Sequence, residues 1–341
     1  MIYRSKAPLR IGLAGGGTDV SPYSDEFGGA ILNATLSLHA HATIESLNEP
    51  LIIIESLDKK QKQEYAWGMQ LPITGELDLL KGVYNRIQQD HPFTMKGFRL
   101  STFVDAPAGS GLGTSSTLVV AITGAFAEML KLPLGEYDMA HYAYEIERND
   151  LQLAGGRQDQ YAAAFGGFNF MEFYANDKVI VNPLRIRQDY LNELEHNLVL
   201  YFTSTTRESA TIIKEQQKNV RENNTKSIDA MHQLKEQAKM MKEALLTGNL
   251  DHIGEILDYG FQHKKNMAAN ISNNSMEEIY AAAKKSGATG GKISGAGGGG
   301  FMIFYCPGNS RYPVIETLHN FGGKISPYQF TKHGLTSWTI Q

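Results

Sequence analysis

The sequence predicts an α+β fold in two domains, residues 1–189 and 190–341. Three observations carry this. Period-two alternation typical of antiparallel strands recurs in the first hundred residues, most clearly over 30–45 (AILNATLSLHAHATIE). Long helical stretches crowd 208–269. Continuous apolar runs at 197–203 (NLVLYFT) and 301–305 (FMIFY) then read as strands of a second unit.

In order along the chain, 51–55 is a short β-branched strand, 76–89 a helix and 97–105 a strand. Over 116–130, Leu118, Ile122 and Phe126 recur at helical spacing. A second helix covers 136–150 and a short one starts near Gln158, before strands at 167–174 and 178–183. Beyond Asp189, helices are expected at 208–221, 227–246 and 251–269. In the second of these, Ile228, Met231, Leu234, Ala238, Met241 and Leu245 form one apolar stripe, read as core packing. Ser275 and Glu278 form a capping box that opens a helix ending at Gly287. Strand 301–305, a helix at 312–320 and a strand near 329–340 complete the second domain.

The 341 residues are 42% hydrophobic and 20% charged, which excludes wholesale disorder. Lys and Arg total 32 against 36 Asp and Glu, so no global basic field exists to recruit nucleic acid or an anionic membrane. Cys306 is the single cysteine, which excludes an intramolecular disulfide and a CxxC zinc site and fits a cytoplasmic location. The N-terminus has no signal-peptide pattern, and the most apolar stretch, 118–130, is too short and too polar to span a bilayer. A homodimer is compatible with these features, which do not fix the oligomeric state.

Glycine is the outlier, at 34 residues, about a tenth of the chain against a usual 7%. Three clusters hold the chemistry: Gly15, Gly16 and Gly17 in APLRIGLAGGGTDV; Gly109, Gly111 and Gly113 in DAPAGSGLGTSST; and Gly295 with 297–300 in GGKISGAGGGGFMIFY. In the middle cluster, glycines let successive N–H groups turn onto an anion. Thr114, Ser115 and Ser116 add hydroxyls, and the chain runs straight into a helix whose N-terminal dipole favours negative charge. A plain turn with a Ser/Thr cap is the simpler alternative. Neither Gly291-Lys292 nor Gly323-Lys324 completes a Walker A motif, since Ile follows each. Gly295, Gly297 and Gly300 match GxGxxG but precede a strand, which argues against a dinucleotide-binding dehydrogenase.

Together, in order, the three clusters resemble the motifs of the GHMP kinases, the superfamily of galactokinase, homoserine kinase, mevalonate kinase and phosphomevalonate kinase. The resemblance runs from about residue 6 to 305. It is greatest, in LRIGLAGGGTDVSPYSDEFGG and HKKNMAANIS…GATGGKISGAGGGGF, to the branch acting on D-glycero-D-manno-heptose 7-phosphate. It implies a two-domain architecture, ribosomal-S5-like then ferredoxin-like, with ATP and Mg²⁺ used in the cleft between to phosphorylate the anomeric hydroxyl of a sugar phosphate. An L-fucose-type sugar-1-kinase is the rival within the superfamily, and a non-catalytic sugar-sensing regulator the rival outside it.

The resemblance also implies roles. Asp159, in QDQY, falls where galactokinase has its catalytic aspartate and would accept or orient the acceptor proton. Arg10, in APLR, would pair with it or stabilise developing charge, with Lys6 a weaker choice. Gly109, Ser110, Gly111, Leu112, Gly113, Thr114, Ser115 and Ser116 form the ATP-phosphate loop. Ser115 and Glu147 match the family's metal ligands, Glu145 being the competing carboxylate. Gly16, Gly17, Thr18 and Asp19 match the sugar-binding stretch, and Gly297 and Gly298 are placed against the substrate. A phosphorylated acceptor requires one more cation, for which Arg157, Arg207, Lys265 and Lys292 are the candidates by position. His39, His41 and His263 are read as ordinary strand or helix residues.

Overall fold

A computed structural model describes residues 1–205 and 209–340. The strands are β1 (Ile2–Ala14), β2 (Gly29–Leu47), β3 (Leu51–Ser56), β4 (Gln61–Ala66), β5 (Gly97–Val104), β6 (Phe168–Phe173), β7 (Val179–Pro183), β8 (Leu198–Phe202), β9 (Gly290–Ile293), β10 (Phe301–Tyr305), β11 (Lys324–Ile325) and β12 (Thr336–Ile340). The helices are α1 (Tyr23–Phe27), α2 (Asp78–Asp90), α3 (Thr114–Leu130), α4 (Glu136–Glu145), α5 (Gln158–Phe165), α6 (Gln188–Asn197), α7 (Ser209–Arg221), α8 (Thr225–Thr247), α9 (Ile253–Lys264), α10 (Asn274–Lys285) and α11 (Arg311–His319).

Two sheets organise the described residues. The first runs β12-β1-β2-β5-β3-β4, with β6 and β7 continuing from β2. At 19 residues, β2 is long enough to serve two partners: residues 40–47 pair with β5 and 29–34 with β6. The second sheet, β11-β8-β10-β9, has antiparallel pairings and forms the carboxyl half. The α+β expectation therefore stands, with one change to the domain division. The tail does not remain in the second unit: β12 lies antiparallel on β1, with Lys6 opposite Thr336. The edge of β1 would otherwise stay unpaired, and β12 covers it.

Helix α3 buries 13 of its 17 residues, including Val119, Val120, Ile122 and Phe126. Being apolar nearly all round, it is a central helix. It packs with α2, α4 and α5 on one face of the first sheet, around Ile44, Ile54, Phe98 and Leu100. Leu9, Ile11 and Leu13 of β1 alternate onto the opposite face, where they meet Ala238, Met241 and Leu245 of α8 and Leu257 of α9. The methionine-containing stripe of α8 is thus core, as its spacing predicts. The carboxyl half docks through this second core, so the two units form one body around a cleft.

Two local expectations change. Asn273 caps α10, its side chain accepting from Met276 N at 3.0 Å, in place of a Ser275–Glu278 box. The amide oxygen caps as well as a hydroxyl, and it starts the helix two residues before the expected cap. The helix expected over 136–150 stops being α-helical at Glu145 and makes a π turn over Ile146–Asp150. No helix among the described residues is long and apolar enough to cross a membrane.

Candidate active site

The three glycine clusters converge on one cleft of about 580 Å³ between the two halves. Its geometry starts from β1. Because Leu9, Ile11 and Leu13 are committed to the core, Arg10 emerges on the other side and is 3% exposed. Its Nε donates to Asp159 Oδ1 at 2.7 Å, its second terminal nitrogen lies 2.6 Å from the same oxygen, and the first donates to Gly111 O at 2.6 Å. The Arg10 backbone N–H also donates to Leu112 O at 3.1 Å. Arg10 thus ties the loop 109–113 to the carboxylate on α5.

Asp159 Oδ1 is taken by Arg10, whereas Oδ2 faces the loop. A Cβ placed on Gly113 would lie 3.2 Å from that oxygen. Gly111, with φ at +84°, would bring a Cβ to 2.3 Å from the backbone oxygen of Ser294. No side chain fits there because the third cluster packs against the second: Ser294 Oγ donates to Gly111 O at 2.8 Å, and Phe301 N to Ser110 O at 2.8 Å. Gly297 and Gly298 do not line the cleft. They approach Ile271, whose carbonyl accepts from Gly298 N at 2.8 Å. The third cluster is therefore mainly a buttress for the loop. Leu112 and Ser110 are buried behind it, while Gly109, Gly111, Gly113, Thr114, Ser115 and Ser116 line the cleft.

The two candidate glutamates face different ways. Glu147 turns inward and is 1% exposed, while Glu145, two residues earlier and so on another face, accepts from Asn149 on the surface. Glu147 accepts from Ser116 Oγ at 3.0 Å and from Gln160 Nε2. Ser115 has no bond to Glu147; it stands exposed on the first turn of α3 at the cleft wall. Gln160 Oε1 is buried with no hydrogen-bond partner.

Asp19 is buried, and its Oδ2 accepts from the N–H groups of Arg157 (2.8 Å) and Gln158 (3.1 Å). It therefore caps the start of α5 from a distant segment and fixes where Asp159 stands. Gly156 leaves room for this carboxylate, since a Cβ there would lie 1.9 Å from Oδ2. Burial pushes the Asp19 carboxyl up, offset in part by the Gln158 N–H, and the Asp159 charge adds to the rise.

Several expected ligands face elsewhere. Thr18 Oγ1 bonds Gly15 O and Ala30 O, closing the glycine turn. The Arg157 guanidinium points to Asp25, Asp177 and the Tyr174 carbonyl, away from the cleft. Lys292 is buried behind β1, donating to Gly12 O at 2.6 Å; burial and then the charges of Lys264 and Arg10 hold its amine well below the lysine range. Lys265 pairs with Glu277 at 3.3 Å on the surface. Arg207 lies outside the described residues. Lys6 sits near His39, not in the cleft. There His39, His41 and Asp105 bring potential ligand atoms within 4.8 Å of one another, and the Lys6 charge opposes a cation at that spot.

The lysine in the cleft is Lys264, one residue from the expected position. A usable signal exists: Ile253, Leu257, Phe261 and Lys264 continue a single buried stripe of α9. Similarly, Ile212, Gln216 and Val220 share the buried side of α7, and Gln216 reaches the cleft to donate to Gly17 O at 2.7 Å.

A glycine loop at a helix N-terminus, a carboxylate facing that loop and a buried glutamate bonded to the Ser116 hydroxyl suit a small-molecule kinase. The model for the GHMP kinases N terminal domain matches residues 78–167, and that for the GHMP kinases C terminal matches 241–324. The chain is 48% identical over 337 residues, 99% of both chains, to the D-glycero-alpha-D-manno-heptose 7-phosphate kinase of Campylobacter jejuni. A crystal structure described as a D-glycero-D-manno-heptose 1-phosphate kinase from Bacteroides thetaiotaomicron superposes with a TM-score of 0.85 at 47% identity, covering 99% of each chain. Lactococcus lactis galactokinase, solved with galactose, shares the fold at a TM-score of 0.79 and 18% identity over 98% of this chain and 95% of that one. The chain belongs to the GHMP kinases, and it is a sugar kinase of that family.

Proposed function

We propose that this chain transfers the γ-phosphoryl group of ATP to the anomeric hydroxyl of D-glycero-D-manno-heptose 7-phosphate, giving the 1,7-bisphosphate and ADP. The observation that supports the chemistry is Asp159, with Oδ1 anchored by Arg10 and Oδ2 turned to the glycine loop. The full-length similarity to the C. jejuni enzyme supports the acceptor. The name of the B. thetaiotaomicron relative puts the acceptor's existing phosphate at the other end, so heptose 1-phosphate is the second reading.

In this mechanism the loop amides of 109–113 and the N-terminus of α3 hold the nucleotide phosphates. The acceptor hydroxyl donates to Asp159 Oδ2, and its proton passes to that carboxylate as the new P–O bond forms and the bond to ADP breaks. Arg10 keeps the carboxylate oriented and offsets charge on the reacting oxygens. Asp19 holds α5 in place with Oδ2 and offers Oδ1 to a sugar hydroxyl.

Mg²⁺ fits the residues present. Glu147 is a buried carboxylate accepting from the Ser116 hydroxyl, the orphaned Oε1 belongs to Gln160, whose amide donates to Glu147, and Ser115 lines the same cleft. Glu147 and Ser115 would hold the ion, which supplies charge neutralisation on the phosphate oxygens when bound. Glu147→Gln is expected to raise the Mg²⁺ concentration for half-maximal rate by about 10- to 100-fold. A metal titration at saturating ATP checks this, and an unchanged titration removes Glu147 from the site. ATP as donor and a lone buried thiol fit a cytoplasmic reaction.

The test is ADP release by the purified protein with Mg·ATP and each of heptose 7-phosphate, heptose 1-phosphate, L-fucose, galactose and mevalonate. Heptose 7-phosphate is expected to give the highest kcat/KM. Brisk turnover of a neutral sugar with none of heptose 7-phosphate would overturn the acceptor assignment.

A further inference from the structure

Resting on the acceptor reading above, we propose that Lys264 forms the subsite for the acceptor's non-transferred phosphate. Three positively charged side chains line the cleft among the described residues: Arg10, Arg148 and Lys264. Arg10 is committed to Asp159. Arg148 is committed to the carbonyls of Leu153 (3.3 Å) and Gly156 (3.1 Å) and stands 3.7 Å from Glu147, at the metal end. Lys264 has one protein acceptor, Gly295 O at 2.6 Å, and no carboxylate within ion-pair reach among the described residues. Two of its three N–H donors remain for a ligand.

Its position selects the acceptor over the nucleotide. The loop 109–113 and α3 occupy the nucleotide end, and Asp159 marks the point of transfer. Gly17, Asp19, Gln216 and Met267 are part of the remaining cleft wall, and Lys264 Nζ enters it across Gly16, where an added Cβ would lie 3.6 Å away. The bare glycine turn leaves this side of the cleft open, so a long acceptor reaching from Asp159 past Asp19 brings its far end to the amine. A buried ammonium with no ion-pair partner is costly, and a phosphate dianion supplies one.

The electrostatics agree. Burial, then the Arg10 charge, push the Lys264 amine down to about 8, with Asp19 acting in the opposite direction. The titratable groups facing it are Arg10 from β1, Asp19 from the turn after β1 and Lys292 from β9, whose own amine is held well below the lysine range; α8 and α7 present the neutral Gln237 and Gln216. The free enzyme therefore loses this cation as pH rises through about 8, while the acceptor phosphate, with its second pKa near 6, is already a dianion.

The test compares wild type, Lys264→Met and Lys264→Arg on heptose 7-phosphate and on unphosphorylated heptose, with KM and kcat for both substrates from pH 6.5 to 9.5. For wild type, kcat/KM for heptose 7-phosphate is expected to fall above pH 8, with no such fall for unphosphorylated heptose. Lys264→Met should raise KM for heptose 7-phosphate by about 10- to 100-fold at pH 7, leave KM for ATP within about threefold and abolish the pH step. Lys264→Arg, charged throughout, should restore part of the affinity and hold it flat to pH 9.5. An unchanged acceptor KM in Lys264→Met overturns the proposal, as does a rise confined to the ATP KM. A wild-type profile with no step near pH 8 also overturns it, and needs no variant to fold. If wild type ignores heptose 7-phosphate but phosphorylates another sugar, the acceptor reading fails first and this subsite with it, a result distinct from all the others.

Discussion

Replacing Asp159 by Asn should lower kcat by about 10²- to 10⁴-fold, with KM for ATP changed by no more than about threefold. The amide keeps the shape, and its oxygen can still accept from Arg10, so the buried guanidinium is not stranded. That matters because Arg10 is 3% exposed, and deleting its partner would cost about 3–5 kcal/mol of stability. Asp159→Ala therefore confounds catalysis with folding, whereas Asp159→Asn isolates the proposed proton-accepting role. Oδ2 takes no hydrogen bond from any described residue, so the change falls on the atom that faces the acceptor. Steady-state kinetics with ATP held saturating decide it. An unchanged kcat would mean that Asp159 serves only to anchor Arg10.

The parts of this site legible in the sequence are those that lie within a contiguous stretch. The three glycine clusters, Arg10 after APL and Asp159 in QDQY can each be found by pattern, and the structure brings them into one cleft. What pattern misses is set by packing between distant segments. Asp19 is assigned to the sugar on sequence, yet half its carboxylate caps α5, 138 residues away, because the helix start needs an acceptor and no local side chain provides one. Glu147 and Glu145 lie on different faces of one helical stretch, and which of them meets Ser116 is set by how that stretch packs against α3. Lys264 and Lys265 differ by one position at the end of a helix, where the apolar stripe must be extended onto a charged residue that pattern rules place outside. The return of β12 to β1 has no local signal at all, since it answers an unpaired edge more than three hundred residues earlier.

The loop's dependence on close backbone approach gives the second large effect. Gly111→Ala should lower stability by about 2–5 kcal/mol and raise KM for ATP at least about tenfold. Two causes combine. Gly111 has φ at +84°, which is strained for any side chain, and its Cβ would stand 2.3 Å from Ser294 O, a backbone atom that cannot swing aside. Relief requires the loop and the third glycine cluster to separate. Gly111 O would then lose the bonds it accepts from Arg10 (2.6 Å) and Ser294 (2.8 Å), and Arg10 would lose its alignment with Asp159. Gly308→Ala separates the two causes, because Gly308 also has a positive φ, +58°, but nothing within 4 Å of its Cβ. That variant should show only the conformational cost, about 1 kcal/mol, with wild-type kinetics. Thermal melts and ATP titrations of the two variants side by side distinguish a loop held by packing from one that merely requires glycine dihedrals. Equal behaviour of both would show that the contact between the second and third clusters is dispensable for holding the nucleotide.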